Sequence, residues 1–387
     1  MNRSSTGIYA ASAVAGETVR AFVPSPLPPV PLLDLAGPRQ RLLERATLAV
    51  GRLDSVSTLL PDPRLFLYAY VRREAVLSSQ IEGTQSSLSD LLLFELEEAP
   101  GVPVDDVVEV SNYIAALNHG MTRLREGFPL CNRLLREMHA HLMSRGRGSD
   151  KAPGEFRRSQ NWIGGTRPGN ARFVPPPPQE VEPCMAALES FLHDDATGTP
   201  LLLKAALAHV QFETIHPFFD GNGRLGRLLI ALLLHHGALL ADPLLYLSLY
   251  FKQHRQTYYD LLERVRVAGD WEAWIDFFLE GVEQTALGAV QTARRLVALF
   301  ADDTQRVRSL GRGSANILRV LAALRQRPML SLRQLCRDAA MTFPTASKAM
   351  QALVTAGIAR ELTGQRRNRV FVYGAYLEIL NEGGDPL

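Results

Sequence analysis

The chemistry this chain can do is concentrated in twelve consecutive residues, His216-Pro217-Phe218-Phe219-Asp220-Gly221-Asn222-Gly223-Arg224-Leu225-Gly226-Arg227. An apolar run from Leu228 to Leu234 follows at once, so the stretch reads as a glycine-rich turn opening into a buried helix. Asn222 is the expected N-cap, and Gly221 and Gly223 leave backbone N–H groups unscreened by a Cβ. With the positive end of the helix dipole, these N–H groups make an anion site. Arg224 and Arg227 lie three apart on one face, in the turns where each cation costs about 0.3–1 kcal/mol against the dipole. That cost makes sense if a di- or triphosphate sits between them. Asp220 beside such an anion is a natural ligand for Mg2+, and His216 has the right basicity to take a proton near neutral pH. An ordinary Gly-Asn-Gly turn beside a core-edge histidine explains any one of these residues, but not two arginines at a helix start.

The stretch resembles the Fic signature, His-x-Phe-x-Asp/Glu-Gly-Asn-Gly-Arg-x-x-Arg, at every fixed position. The resemblance implies a protein adenylyltransferase that moves AMP from ATP to a Ser, Thr or Tyr hydroxyl of a target protein. Under it, His216 is the general base and Asp220 holds Mg2+. Gly221, Asn222, Gly223 and Arg224 cradle the α- and β-phosphates, Arg227 takes the γ-phosphate, and Phe218 anchors the loop in the core. Relatives with this loop also transfer UMP, a phosphate or phosphocholine, which leaves the donor open.

The elements that must position this loop are mostly helical. Apolar spacing predicts helices over 38–60 and 63–82, and the second ends in Ser78-Ser79-Gln80-Ile81-Glu82-Gly83. Ser78 and Glu82 share a face, and Gly83 is a stop signal. A carboxylate at a helix C-terminus faces the negative end of the dipole and wants a cation, although a solvated polar helix end accounts for the same residues. Beside the loop motif, these six residues also resemble the family's inhibitory motif, Ser/Thr-x-x-x-Glu-Gly/Asn. By that likeness Glu82 pairs with Arg227 in place of the γ-phosphate, from an N-terminal inhibitory helix in the same chain. Further helices are expected over 86–98, 105–125 and 130–143. His139 and His141 in the last are two apart and face differently, so they read as core-edge or surface residues.

From Gly146 to Pro178 the period changes, and the run from Gly154 to Pro178 reads as two short strands, 156–165 and 171–174, around a Gly/Pro turn. Pro175 to Pro178 then give an extended exit. An unpaired hairpin edge is a hazard unless a target segment adds to it as a strand, and the run resembles the Fic flap. Helices over 180–193 and 201–213 lead into the loop. A helix over 246–266 carries Tyr250, Tyr258 and Tyr259. The family contacts the adenine in this region, so Tyr258 and Tyr259 are candidate nucleotide-binding residues, with ordinary core packing as the alternative. A long helix over 271–307 follows.

Beyond it, three helical patterns (314–326, 331–340 and 342–356) and an alternating basic segment, 357–373, read as a winged helix-turn-helix. Residues 305–373 hold 13 Lys and Arg against two acids, while the whole chain carries only +2. Such asymmetry points to an anionic partner, DNA being one candidate, although winged helices also bind proteins or mediate dimer contacts. The resulting expectation is a mainly α protein with four parts. These are a flexible Pro-rich arm (1–35), an N-terminal helical domain with the inhibitory helix (36–125), a Fic helical bundle with a β-hairpin flap (126–307) and a C-terminal winged helix (308–387). Apolar content of 46% and charged content of 21% are ordinary for a globular protein. The three cysteines have no metal-ligand or paired spacing, no signal-like start is visible, and the longest apolar stretch is interrupted. These features favour a reduced, cytoplasmic protein with no membrane span. The resemblance allows a homodimer. The alternative function is a DNA-binding regulator whose Fic domain senses nucleotide without turnover.

Overall fold

The computed structural model describes residues 6–14, 16–59, 63–96, 104–311, 313–364 and 368–383. The expected helix end at 97–98 and the basic residues Arg312, Arg366 and Arg367 lie outside them.

The first difference from expectation comes at the start. The Pro-rich arm is a β-hairpin, β1 (Gly7–Val14) and β2 (Glu17–Pro24), in antiparallel register from Gly7↔Pro24 to Val14↔Glu17. Its turn is closed by Gly16 at φ +80°, which a Cβ would strain. Val19 and Ala21 of β2 bury against Val174, and Phe22 N–H donates to the Val174 carbonyl at 2.9 Å. The Thr6 hydroxyl lies 3.0 and 2.9 Å from the carbonyls of Val265 and Arg266. The hairpin is therefore docked at both ends, and only the segment after Pro24 runs extended.

Helices then dominate: α1 (Pro38–Leu59), α2 (Pro63–Ile81), α3 (Leu88–Glu95), α4 (Val104–Arg125), α5 (Asn132–Leu142) and α6 (Pro178–Leu192). They are followed by α7 (Leu201–Ile215), α8 (Asn222–His236), α9 (Ser248–Gln253), α10 (Arg255–Ala268) and α11 (Trp271–Ser309). The helix expected over 246–266 is broken in two at His254. On α1, Leu42, Ala46, Ala49, Val50 and Leu53 are all buried, at the spacing of one helical face. That face lies along α11, which also touches α7, α9 and α10. At the centre, α7 and α8 are buried from Leu202 to Ile215 and over most of Asn222 to Leu234. The loop joining them is thus anchored at both ends in buried helices.

The expected flap strands are reduced to a single antiparallel bridge, Ile163↔Phe173. Gly164 and Gly165 at φ +69° and +72° curl the chain immediately after the first member. The C-terminal part follows its sequence reading closely. α12 (Ser314–Gln326), α13 (Leu332–Asp338) and α14 (Phe343–Thr355) pack on β3 (Met329–Ser331), β4 (Arg360–Glu361) and β5 (Val370–Val372), in sheet order β3-β5-β4. This is the helix and strand order of a winged helix. A last helix, α15 (Gly374–Asn381), returns to α2 and α11. Cys131, Cys184 and Cys336 are unpaired. Among the described residues no helix is long and apolar enough to cross a membrane.

Candidate active site

His216 ends α7 in the left-handed conformation, φ 49° and ψ 60°, which is strained for a residue with a Cβ. Arg157 holds it there. Its Nε donates to the His216 carbonyl at 2.9 Å and its backbone N–H to the Pro217 carbonyl at 2.9 Å. Its Nη2 reaches the Pro176 carbonyl at 2.5 Å. Only 2% of Arg157 is exposed, and burial brings its guanidinium down to about 10. One buried side chain therefore ties both ends of the flap to the turn carrying His216.

Phe218 is fully buried and stacks on His139 with ring centroids 3.8 Å apart. Gly154 N–H donates to His139 Nδ1 at 2.8 Å, so the ring proton is on Nε2, which meets the Asp220 carbonyl at 3.0 Å. His139 is thus a loop brace and not a surface residue. The Asn222 side chain is spent on one residue: Oδ1 accepts from Phe218 N–H and Nδ2 donates to the Phe218 carbonyl, both at 2.9 Å. The N-cap is Gly221 at φ 75°, with Asn222 already the first helical residue. The N-cap expectation for Asn222 is therefore corrected: its side chain pins the loop instead.

A cavity of about 250 Å3 opens beside this turn, lined by His216, Gly223, Arg227, Glu82, Glu213 and Tyr259, among others. Arg227 is the residue most tightly held in it. Its Nε donates to Ser78 Oγ at 2.8 Å, and its Nη2 to the Ser78 carbonyl at 2.8 Å and Glu82 Oε1 at 2.7 Å. The contact expected between Glu82 and Arg227 is present. Burial opposes the Arg227 charge, but the Glu82 carboxylate holds its pKa well above the usual arginine range. The contact depends on how α2 ends. The helix stops at Ile81, Glu82 and Gly83 N–H bond back to the Ser79 and Gln80 carbonyls at 3.0 Å, and Gly83 turns away at φ +102°. A Cβ on Gly223 would run into Glu82 Oε1, so glycine there is what admits the carboxylate.

The other polar loop residues form a second group, outside the lining of that cavity. Arg224 Nη1 meets Glu109 Oε2 at 3.1 Å, and Glu109 Oε1 accepts from Arg147 Nε at 2.8 Å. Asp220 Oδ1 accepts from Gly221 N–H at 2.7 Å, and Oδ2 from Lys151 Nζ at 3.0 Å. Burial alone would raise the Asp220 pKa, but these donors and Arg224 keep it below the usual value. A charged carboxylate, one third exposed and already holding a cation, suits a Mg2+ shared with phosphate oxygens. Among the described residues no group of three acids, histidines or cysteines offers a site made of protein ligands alone.

Burial, with the nearby Arg157 and Arg266 charges, takes the His216 imidazole down to about 4. It is therefore neutral and able to accept a proton at pH 7. Glu213, which sequence reasoning passed over, is pushed up to about 7 by burial. Both candidate adenine contacts, Tyr258 and Tyr259, line the cavity. Tyr258 is 1% exposed, its ring stacks on Phe251 at 4.6 Å, and its hydroxyl meets His209 Nε2 at 2.9 Å. His209 Nδ1 is 2.9 Å from the Gly226 carbonyl, so Tyr258 also steadies α8. Tyr259 is the more exposed of the two. Sequence reasoning also missed Arg157, Glu109 and Lys151. For Arg157 the sequence carries no signal, because its partners are backbone carbonyls that folding brings to it.

Residues 40–122 match the model of the Fic/DOC family N-terminal domain and residues 129–234 that of the Fic/DOC family itself. A protein adenylyltransferase Fic of Aedes aegypti is 31% identical over 273 residues, covering 68% of this chain and 51% of the relative. Its counterpart in Culex quinquefasciatus is 30% identical over 209 residues, 53% of this chain and 39% of the relative. The chain thus spans about half or less of the curated relatives it matches. Among solved structures, a Fic family protein from Desulfovibrio desulfuricans superposes with a TM-score of 0.56 at 20% identity, covering 87% of this chain and 96% of that one. A fragment of Fic-1 from C. elegans gives 0.52 at 22%, covering 67% and 73%. These two show a shared fold.

Proposed function

The chain belongs to the Fic/DOC family, and on that premise we propose that it is a protein adenylyltransferase held in a blocked state by Glu82. The observation that carries this reading is the Glu82–Arg227 contact of 2.7 Å in the wall of the cavity that His216 also lines. An arginine buried at a helix N-terminus, with an acid from another helix on it, is a phosphate site with a substitute ligand in place.

In the open state Arg227 takes the γ-phosphate of ATP, while the N–H groups at Gly221 to Gly223 face the remaining phosphates. Asp220 holds Mg2+, which when bound neutralises phosphate charge as the transfer proceeds. His216, neutral at pH 7, removes the proton from a Ser, Thr or Tyr hydroxyl as that oxygen bonds to the α-phosphorus. The bond to the β-phosphate oxygen breaks and pyrophosphate leaves. Arg157 keeps His216 aimed, so most of the rate comes from positioning and preorganised charge. The target segment runs along the Ile163 side of the flap, because β2 occupies the Val174 side.

The test is label transfer from ATP labelled at the α-phosphate into lysate proteins, with Glu82→Gly as enzyme. Labelled bands are expected, and their loss in Glu82→Gly/His216→Ala with ATP binding retained. Persisting label would remove His216 from its role. With its base at about 4, the rate should stay flat from pH 5 to 7. A rise centred near 6.5, the ordinary histidine value, would contradict a buried neutral imidazole.

A second reading rests on the C-terminal part. Residues 305–373 are net +11, and although Arg306, Arg319, Arg325 and Arg369 are used internally, Arg327, Arg333, Arg337, Lys348 and Arg360 are exposed. We infer a nucleic-acid-binding surface there. A gel shift with duplex DNA whose affinity falls steeply with salt supports it, and none at low salt removes it. The unpaired cysteines fit a cytoplasmic setting.

A further inference from the structure

One to two turns before Ser78 on α2 lies a second cavity, also of about 250 Å3. Its walls come from Arg73 and Glu74 of α2, Tyr246 and Tyr250 near α9, and the Gly288–Ala289 face of α11. Three buried polar atoms of these residues have no partner among the described residues: Glu74 Oε2, Tyr246 Oη and Arg73 Nε. Glu74 is 3% exposed and Tyr246 6%. The other Glu74 oxygen is fully used, taking Ser248 Oγ at 2.5 Å and Tyr113 Oη at 3.1 Å. At the mouth, Arg73 Nη2 donates to the Glu382 carbonyl at 2.6 Å, and the Glu382 carboxylate pairs with Arg295 at 2.6 Å. Buried polar groups are rarely left unmade, and three of them around one roomy cavity describe the complement of a ligand.

The chemistry of that complement is specific. A carboxylate oxygen among tyrosine rings (Tyr70 and Tyr246 centroids are 5.6 Å apart) favours an ammonium group. An arginine N–H one residue away favours a carboxylate. We propose that this cavity binds a free amino acid, its ammonium on Glu74 Oε2 and Tyr246, its carboxylate on Arg73 Nε, and its side chain toward Leu77 and Ala289. An occupant that binds more tightly while Glu82 rests on Arg227 stabilises the blocked arrangement. That consequence rests on the function proposed above; the binding does not.

The experiment uses the full chain and the standard L-amino acids one at a time, read by thermal unfolding and titration calorimetry. At least one should raise the unfolding temperature saturably, and its N-acetyl derivative, which lacks the ammonium, should not. Glu74→Gln should weaken binding about tenfold or more. Gly288→Leu is the second variant, because a Cβ there meets nothing within 4 Å and leucine favours the helix. It fills the cavity from α11 without touching Glu74, and should abolish binding in a folded protein. No response to any amino acid, or equal binding of the N-acetyl form, overturns the proposal and leaves the cavity to water. If binding is seen but Glu82→Gly transfers no label, the adenylyltransferase reading falls and the site stands. If both hold, the ligand slows label transfer by the wild type and not by Glu82→Gly.

Discussion

Two arginines three residues apart on α8 each meet a carboxylate brought by another helix, yet the two pairs are built differently. Glu109 sits in the middle of α4, its side chain 3% exposed and clasped by Arg147 as well as Arg224. Glu82 follows the last residue of α2, its side chain 34% exposed and followed by a glycine in a left-handed turn. The first carboxylate is enclosed, with a cation on each oxygen. The second stands at a helix end with one cation on it and solvent beside it. Like charges at the start of one helix are therefore given unlike tasks by their partners, one as a brace and one as a latch.

Removing the latch gives the largest expected effect. Glu82→Gly should raise label transfer on the order of tenfold to a hundredfold, the size of an ordinary coupling between sites. The cost in stability should be about 1–3 kcal/mol, because Arg227 is left buried with only its Ser78 bonds. Next is the brace: Glu109→Gln leaves the buried Arg224 facing a neutral amide, and should lower unfolding stability by about 3 kcal/mol or more in denaturant titrations. Equal stability losses in the two variants would erase the distinction. Arg157→Lys keeps the charge but loses the fork that holds the His216 and Pro176 carbonyls. The rate in the Glu82→Gly background should fall about tenfold with the KM for ATP unchanged; a rise in KM alone would place Arg157 in nucleotide binding. Smallest is Tyr258→Phe, which removes one hydrogen bond to His209 and should cost about 1 kcal/mol of stability. It should leave the KM for ATP alone, whereas Tyr259→Ala should raise it.

The latch was legible in the sequence and the brace was not. His216 to Arg227 is local, as is Ser78 to Gly83, and each carries its own turn chemistry. Glu109 lies 115 residues from Arg224, in a helix whose pattern gives no reason to single out one acid. Lys151 and Arg157 act on the loop from the segment between α5 and α6, another contact that only folding creates. The N-terminal hairpin was read as an arm because its Ala and Ser residues signal strand weakly, although Thr18 to Val23 alternates and Gly16 precedes it. Tyr258 shows the converse: helical spacing says that a tyrosine faces inward, but not that its ring both lines the cavity and stacks on Phe251. The helical bundle was readable because long apolar periods decide helices, and the C-terminal helices and strands fall in the expected order. The flap was not, since one bridge replaced two strands once β2 had taken its neighbouring edge.

The most direct measurement is a crystal structure of Glu82→Gly grown with ATP and Mg2+. Arg227 should have turned from Ser78 to the γ-phosphate, with the α-phosphorus beside His216 and Asp220 released from Lys151 to the metal. A well-ordered structure in which Arg227 keeps its Ser78 bonds and no triphosphate lies along Gly221 to Arg227 would contradict it.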